Sequence, residues 1–91
     1  MMDRDKGAKM DDLNFKGRWI TVVFADDLTT DQRMIEFTDP ALPGPGCHVV
    51  VLIPDGGSWL DATVSIDPLI SEVPVDFLLW AIEKARAVVE R

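Results

Sequence analysis

The chain ends in a helical pattern with a wide apolar stripe, and this feature limits what the sequence can fold into. Pro74 suits the first helical turn, and Asp76 places a negative charge at the end where the helix dipole favours it. The apolar residues at helical spacing are Val75, Leu78, Leu79, Ile82, Ala85 and Val89, and the stripe is widened by Phe77, Trp80, Ala81 and Val88. The pattern predicts a helix over residues 74–90 whose apolar surface exceeds what one small sheet face needs.

Before this helix, the chain carries four segments with the composition of β-strands. They are residues 18–26, 32–38, 47–53 and 59–67. Proline and glycine turn signals separate the last three of them, at 39–46 and 54–57. Strands followed by one helix predict an α+β domain with a four-stranded, mainly antiparallel sheet of order β-β-β-β-α, and the C-terminal helix packs on one face.

Two of these segments indicate which side chains face the core. Residues 18–26 are apolar on both faces, which predicts a strand covered on both sides. In residues 59–67 the alternation predicts an inner set and a polar outer set. The inner set is Leu60, Ala62, Val64 and Ile66, and the outer set is Trp59, Asp61, Thr63 and Ser65.

The first part of the chain differs from the rest in composition. Residues 1–16 are polar, carry four acids against four bases and show no apolar period. We therefore expect residues 1–16 to be a flexible charged tail and residues 17–91 to form a single domain.

The charge distribution favours some partners over others. The formal net charge is −7, but residues 19–83 hold eleven acids and one cation, Arg33, which gives −10 for the body of the domain. A negative field of this kind repels nucleic acid and anionic lipid and attracts a basic protein. The single cysteine, Cys47, and the lack of a long apolar run lead us to expect a cytoplasmic protein with no direct nucleic-acid or membrane partner.

The sequence offers no catalytic or metal-binding pattern. Cys47 and His48 are neighbours on a predicted strand, so their side chains point to opposite faces and cannot easily form a nucleophile–base pair. The acidic segment at 26–31 lacks the central glycine and the ligand spacing of an EF-hand loop. We predict that the protein is not an enzyme and that it uses no cofactor and no metal.

A tryptophan beside carboxylates is the feature most typical of a binding surface. Trp59 begins the polar side of its predicted strand, where a large ring anchors an interface or packs against the proline loop or the tail. The predicted partner-binding residues are Trp59, Asp61, Thr63, Glu36, Asp26, Asp27 and Asp31. The sequence thus predicts a small acidic protein-binding module, such as an inhibitor, immunity protein or accessory subunit.

Two other functions stay open at this point. A self-associating structural or assembly protein, an obligate homodimer, would use the surplus apolar residues Phe77, Trp80 and Val88 and the apolar stretch at 19–25, which has two apolar faces. A small carboxylate-based enzyme has no motif behind it.

Overall fold

One antiparallel sheet and a C-terminal helix make up the computed structural model, which describes residues 9–27 and 31–90. The strands are β1 (Lys9–Phe15), β2 (Arg18–Asp27), β3 (Gln32–Thr38), β4 (Val49–Ile53) and β5 (Thr63–Ile66), and the helix is α1 (Val75–Val89). The five strands lie in the sheet in chain order, each antiparallel to the next. The predicted α+β class, with an antiparallel sheet and a C-terminal helix packed against it, is confirmed.

β1 is a fifth strand and lies in the segment for which the sequence predicts a flexible tail. It pairs with β2 along its whole length, from Lys9 opposite Phe24 to Phe15 opposite Arg18. Lys16 and Gly17 join the two strands with φ values of 53° and 85°, the left-handed pair that suits a two-residue hairpin. Residues 1–8, the remainder of the predicted tail, lie outside the described residues.

The core lies between α1 and one face of the sheet. The helix contributes Phe77, Ala81 and Ala85, all fully buried, at the spacing of one helical face. The sheet contributes Ile20, Val22, Ile35, Phe37, Val49, Val51 and Ile53. Two helix residues predicted to face the core, Val75 and Leu79, are instead 71% and 60% exposed.

The segment before β5 also departs from the predicted alternation. Trp59–Asp61 is a short 3₁₀ helix, and β5 begins only at Thr63. Ser58 caps this turn: its hydroxyl accepts from the amide of Leu60, and Asp61 accepts from the amide of Ser58 at 2.9 Å. The turn rotates Leu60, predicted to face the core, so that it is 93% exposed.

Candidate functional site

Within residues 9–27 and 31–90, one face of the sheet has no helix packed on it, and we call it the open face. Directly paired residues share a face, so the register assigns residues to it. Its described side chains are Met10, Asp12, Asn14, Trp19, Thr21, Val23, Ala25, Gln32, Met34, Glu36, Thr38, Val50, Leu52, Thr63 and Ser65. The prediction that β2 is covered on both sides therefore does not hold within the described chain.

The centre of the open face is apolar apart from one carboxylate. Glu36 lies on β3, the middle strand, and is paired with Val23 on one side and Val50 on the other. Met34, two residues before Glu36 on the same strand, is paired with Leu52. All five side chains are half-buried. Glu36 is thus a carboxylate within an apolar patch rather than at a solvated rim.

The charge on this face has one sign. Asp12 and Glu36 are acidic, and the described residues of the open face include no lysine or arginine. Thr21 donates its hydroxyl hydrogen to Asp12 at 3.3 Å, so one acid is held by a neighbour on the same face. A surface of this kind attracts a cationic group and disfavours an anionic one.

Trp19 is the exposed tryptophan of the described chain. It lies on the open face, is 62% exposed and is paired with Asn14 beside the β1–β2 turn. It stands four residues along β2 from Val23, the cross-strand neighbour of Glu36, which is about 13 Å at the usual rise of a strand. A large, rigid, amphipathic ring in this position can anchor a partner at one end of the face.

Trp59, the predicted anchor, has a different place. It lies in the 3₁₀ helix and packs, partly buried, against the core on the helix side. Asp61 in the same turn is engaged by the amide of Ser58. These two residues therefore serve the local turn and the core, and the open face does not include them.

The other predicted residues divide between two surfaces. Glu36 and Thr63 lie on the open face. Asp26 and Asp31 line a shallow depression at the opposite end of the sheet from Trp19, together with Arg33 and Asp55. The backbone of Asp27 ends β2, but its side chain lies outside the described part of the chain. The six described side chains do not form one surface.

A buried polar network fixes the proline and glycine loop at 39–46. Arg18 donates two hydrogen bonds to Asp39, from Nε to Oδ1 at 2.9 Å and from a terminal nitrogen to Oδ2 at 2.7 Å. The Asp39 carboxylate also accepts from the amide of Ala41 at 2.9 Å. The hydrogen bond from Arg18 holds the pKa of Asp39 below its ordinary value, although burial of the carboxyl acts in the other direction.

The same network occupies His48, and this bears on catalysis. Nδ1 of His48 accepts from the amide of Asp39 at 3.1 Å, and Nε2 lies 2.9 Å from the carbonyl oxygen of Pro43, to which it donates. The imidazole is fully engaged and 1% exposed. It therefore has no nitrogen free to act as a base for the neighbouring thiol.

Cys47 adjoins the open face instead. Its thiol donates to Glu36 at 3.4 Å, and its φ of 56° is the left-handed value that turns the loop into β4. Partial desolvation, followed by the hydrogen bond and the negative charge of Glu36, raises the pKa of the Cys47 thiol. A thiol with a raised pKa is a poor nucleophile at neutral pH, so the contact with Glu36 disfavours covalent chemistry here.

Neither a metal site nor a membrane span is visible in the described residues. Over 9–27 and 31–90, no three His, Cys, Asp or Glu side chains are grouped so that they could hold an ion. In the same residues no helix is long and apolar enough to cross a membrane. Comparison of the chain with known protein families, with curated proteins and with solved structures finds no match.

Proposed function

We propose that this chain is a small acidic protein-binding module, of the inhibitor, immunity or accessory-subunit kind, that binds a basic protein through the open face. The observation that carries the proposal is the position of Glu36, a carboxylate at the middle of an apolar patch on a sheet face that no described residue covers. The proposed activity is binding rather than catalysis, and it needs no cofactor.

The chemistry of the patch specifies the partner. A lysine or arginine surrounded by apolar side chains would meet Glu36 while Val23, Val50, Met34 and Leu52 exclude water around the pair. Removing one member of a charge pair that is desolvated in this way typically weakens binding by about 2–5 kcal/mol. Trp19 would add a second anchor near the edge of the contact.

The central position of Glu36 argues against self-association through the open face. Two copies stacked by a two-fold axis near the sheet centre would bring one Glu36 close to the other in an apolar, water-poor contact. Like charges in such a contact are strongly unfavourable. A basic partner therefore suits the open face better than a second copy does.

The test is affinity capture from the native host with matched baits. The wild-type chain and a Glu36→Lys variant are immobilised side by side, and we expect a basic protein to be retained by the first and lost from the second. Capture of the same proteins by both baits, or of none by either, would contradict the proposal.

Affinity measurements with the captured protein then locate the contact. We expect Glu36→Gln to weaken binding by about 30-fold or more, which corresponds to about 2 kcal/mol. The matched controls are Glu83→Gln and Leu79→Ala, which change an exposed acid and an exposed apolar residue on the helix side. If the helix variants lose as much affinity as Glu36→Gln does, the contact does not lie on the open face. The association rate should also fall as salt is raised.

A further inference from the structure

The two edge strands of the sheet differ in how well they resist pairing. β1 carries three charges in its first four residues, Lys9, Asp11 and Asp12, and charged side chains are a common protection of exposed edges. β5 has the sequence Thr-Val-Ser-Ile, with no charge and no proline, and all four residues are exposed. The β5 edge therefore lacks the protection that β1 has.

The backbone of β5 shows which groups are available for pairing. The amide of Asp67 donates to the carbonyl oxygen of His48 at 3.0 Å, so residue 67 points its hydrogen-bonding groups towards β4. In an antiparallel ladder this direction alternates along the strand. Ser65, opposite Val50, points the same way as Asp67, and Val64 and Ile66 point their amides and carbonyls outwards.

The side chains along this edge are apolar on the helix side. Val64 and Ile66 pair with the buried Val51 and Val49, yet they are 41% and 37% exposed because the helix does not cover β5. Exposed leucines follow at both ends of the strand, with Leu60 at 93% and Leu69 at 78%. Of the eight large hydrophobic residues that are exposed in the described chain, these four lie on or beside β5.

The helix continues this apolar strip. One flank of α1 faces β1: Lys84 and Ala87 line a groove with Leu13, and Asp76 pairs with Lys16 at 2.6 Å. The flank opposite to these residues therefore lies on the side of β4 and β5. By helical spacing it carries Val75, Leu78, Leu79 and Ile82, and Arg86, which pairs with Glu90, ends the apolar strip.

We propose that β5 pairs antiparallel with β5 of a second copy of this chain, which joins the two sheets edge to edge. A two-fold axis normal to the sheet at Ser65 places Val64 opposite Ile66 of the second copy. The outward amides and carbonyls of Val64 and Ile66 in the two copies then form about four hydrogen bonds. The helix-side apolar strips then meet, and the end of β5 near Leu60 lies beside the end of the partner strand near Leu69.

The register favours a second copy as the occupant, because β5 is complementary to itself. The net charge of −7 opposes association of two copies, but this repulsion acts least where the contact strand carries no charge, as in β5. In the proposed register, Thr63 lies opposite Asp67 of the second copy, so a hydroxyl faces the acid. Moving the axis by one residue, to Val64, would bring Asp61 of one copy towards Asp67 of the other.

This pairing and the open-face proposal use different surfaces. The two helices would lie on one side of the joined sheet and the two open faces on the other, so both proposals can hold together. The pairing test needs no other protein, and either proposal can fail without the other.

The experiment is solution mass by light scattering over a wide range of concentrations. We expect the wild-type chain to reach twice 10.1 kDa. Ser65→Lys and Ser65→Asp each place like charges opposite each other at the axis and should each weaken the dimer by about fivefold, whereas an equimolar mixture should restore it. Thr63→Lys, on the same strand, would lie opposite Asp67 and should leave the dimer intact.

A second measurement uses the close approach of Ser65 at the axis. In a Cys47→Ser background, Ser65→Cys should be oxidised by dissolved oxygen to a disulfide-linked dimer, because directly opposed residues of a non-hydrogen-bonded pair lie about 4.5 Å apart at Cα. Thr63→Cys should remain uncross-linked. A wild-type monomer at every concentration, or equal behaviour of the residue 63 and residue 65 variants, would overturn the proposal.

Discussion

Replacing Asp39 by asparagine should cost this domain a large part of its stability. The carboxylate is fully buried and accepts three hydrogen bonds, two from Arg18 and one from the amide of Ala41. Asparagine keeps the shape but removes the negative charge. It also replaces one of the two acceptor oxygens by an NH2 group, which cannot accept a hydrogen bond from Arg18. Breaking a buried pair costs about 3–5 kcal/mol, and we take the lower end, about 3 kcal/mol, because the Arg18 side chain is 32% exposed and can regain water.

A loss of this size is measurable in a chain of 91 residues. The whole stability of such a domain is about 5–14 kcal/mol, and the melting temperature should fall by about 12–24 °C. The assay is urea unfolding followed by tryptophan fluorescence. The matched control is Asp76→Asn, since Asp76 also pairs with a cation, Lys16, but both side chains are more than half exposed at 62% and 52%. The control should unfold close to the wild-type midpoint.

The pH dependence gives an independent check of the same reasoning. Because the hydrogen bond from Arg18 lowers the pKa of Asp39 in the folded state, the unfolded state binds more protons as the solution becomes acidic. The contribution of Asp39 is therefore complete above the unfolded pKa of about 3.9 and is lost as the pH falls through the folded value. The stability gap between wild type and Asp39→Asn should narrow below about pH 4. A difference in the free energy of unfolding between wild type and Asp39→Asn of under 1 kcal/mol at neutral pH would refute this account of the network. An equal loss of stability in the Asp76→Asn control would refute it as well.

The contacts of the open face and of the core can each be tested by substitution. Glu36→Gln should speed alkylation of Cys47 at mildly alkaline pH. Partial desolvation and then the hydrogen bond and charge of Glu36 raise the thiol pKa, and glutamine removes the charge and leaves only a neutral acceptor. An unchanged rate of iodoacetamide labelling would contradict the contact. Trp80→Ala should destabilise the domain by about 3 kcal/mol in urea unfolding, whereas Trp19→Ala should barely move the midpoint, because Trp19 is 62% exposed. The large effect at Trp80 is expected because the rings of Phe15, Phe37 and Phe77 surround it at centroid distances of 4.9–6.2 Å. A larger loss of stability in Trp19→Ala than in Trp80→Ala would contradict the assignment of Trp80 to the core and Trp19 to the open face.

Local pattern was sufficient to predict most of the framework. The bounds of β3, Gln32–Thr38, coincide with the predicted segment, and α1 lies within one residue of its predicted ends, because strand alternation and helical spacing are local properties. β1 was missed because its first residues are charged and its stabilisation comes from pairing with β2 through the Lys16-Gly17 turn. The turn at Trp59–Asp61 did have a local signal, since Ser58 and Asp61 have the spacing of a capping box.

The candidate site could be predicted only in part, for a physical reason. Glu36 and Thr63 were among the predicted residues, but the position of Glu36 at the middle of the open face depends on strand order and register, which are long-range properties. Trp19 was missed because β2 is apolar on both faces, so the sequence does not show which face the helix covers. Trp59 was misplaced because a turn interrupted the alternation that had assigned it to the outer face.

The most direct test of the open-face proposal is amide chemical-shift mapping of the isotope-labelled chain during titration with the protein captured from the host. We expect perturbations at Glu36, Val23 and Val50 and at the indole of Trp19, with the helix residues Leu79 and Glu83 unaffected. Perturbations confined to the helix or to the Asp26–Asp55 depression, with the open face unchanged, would contradict it.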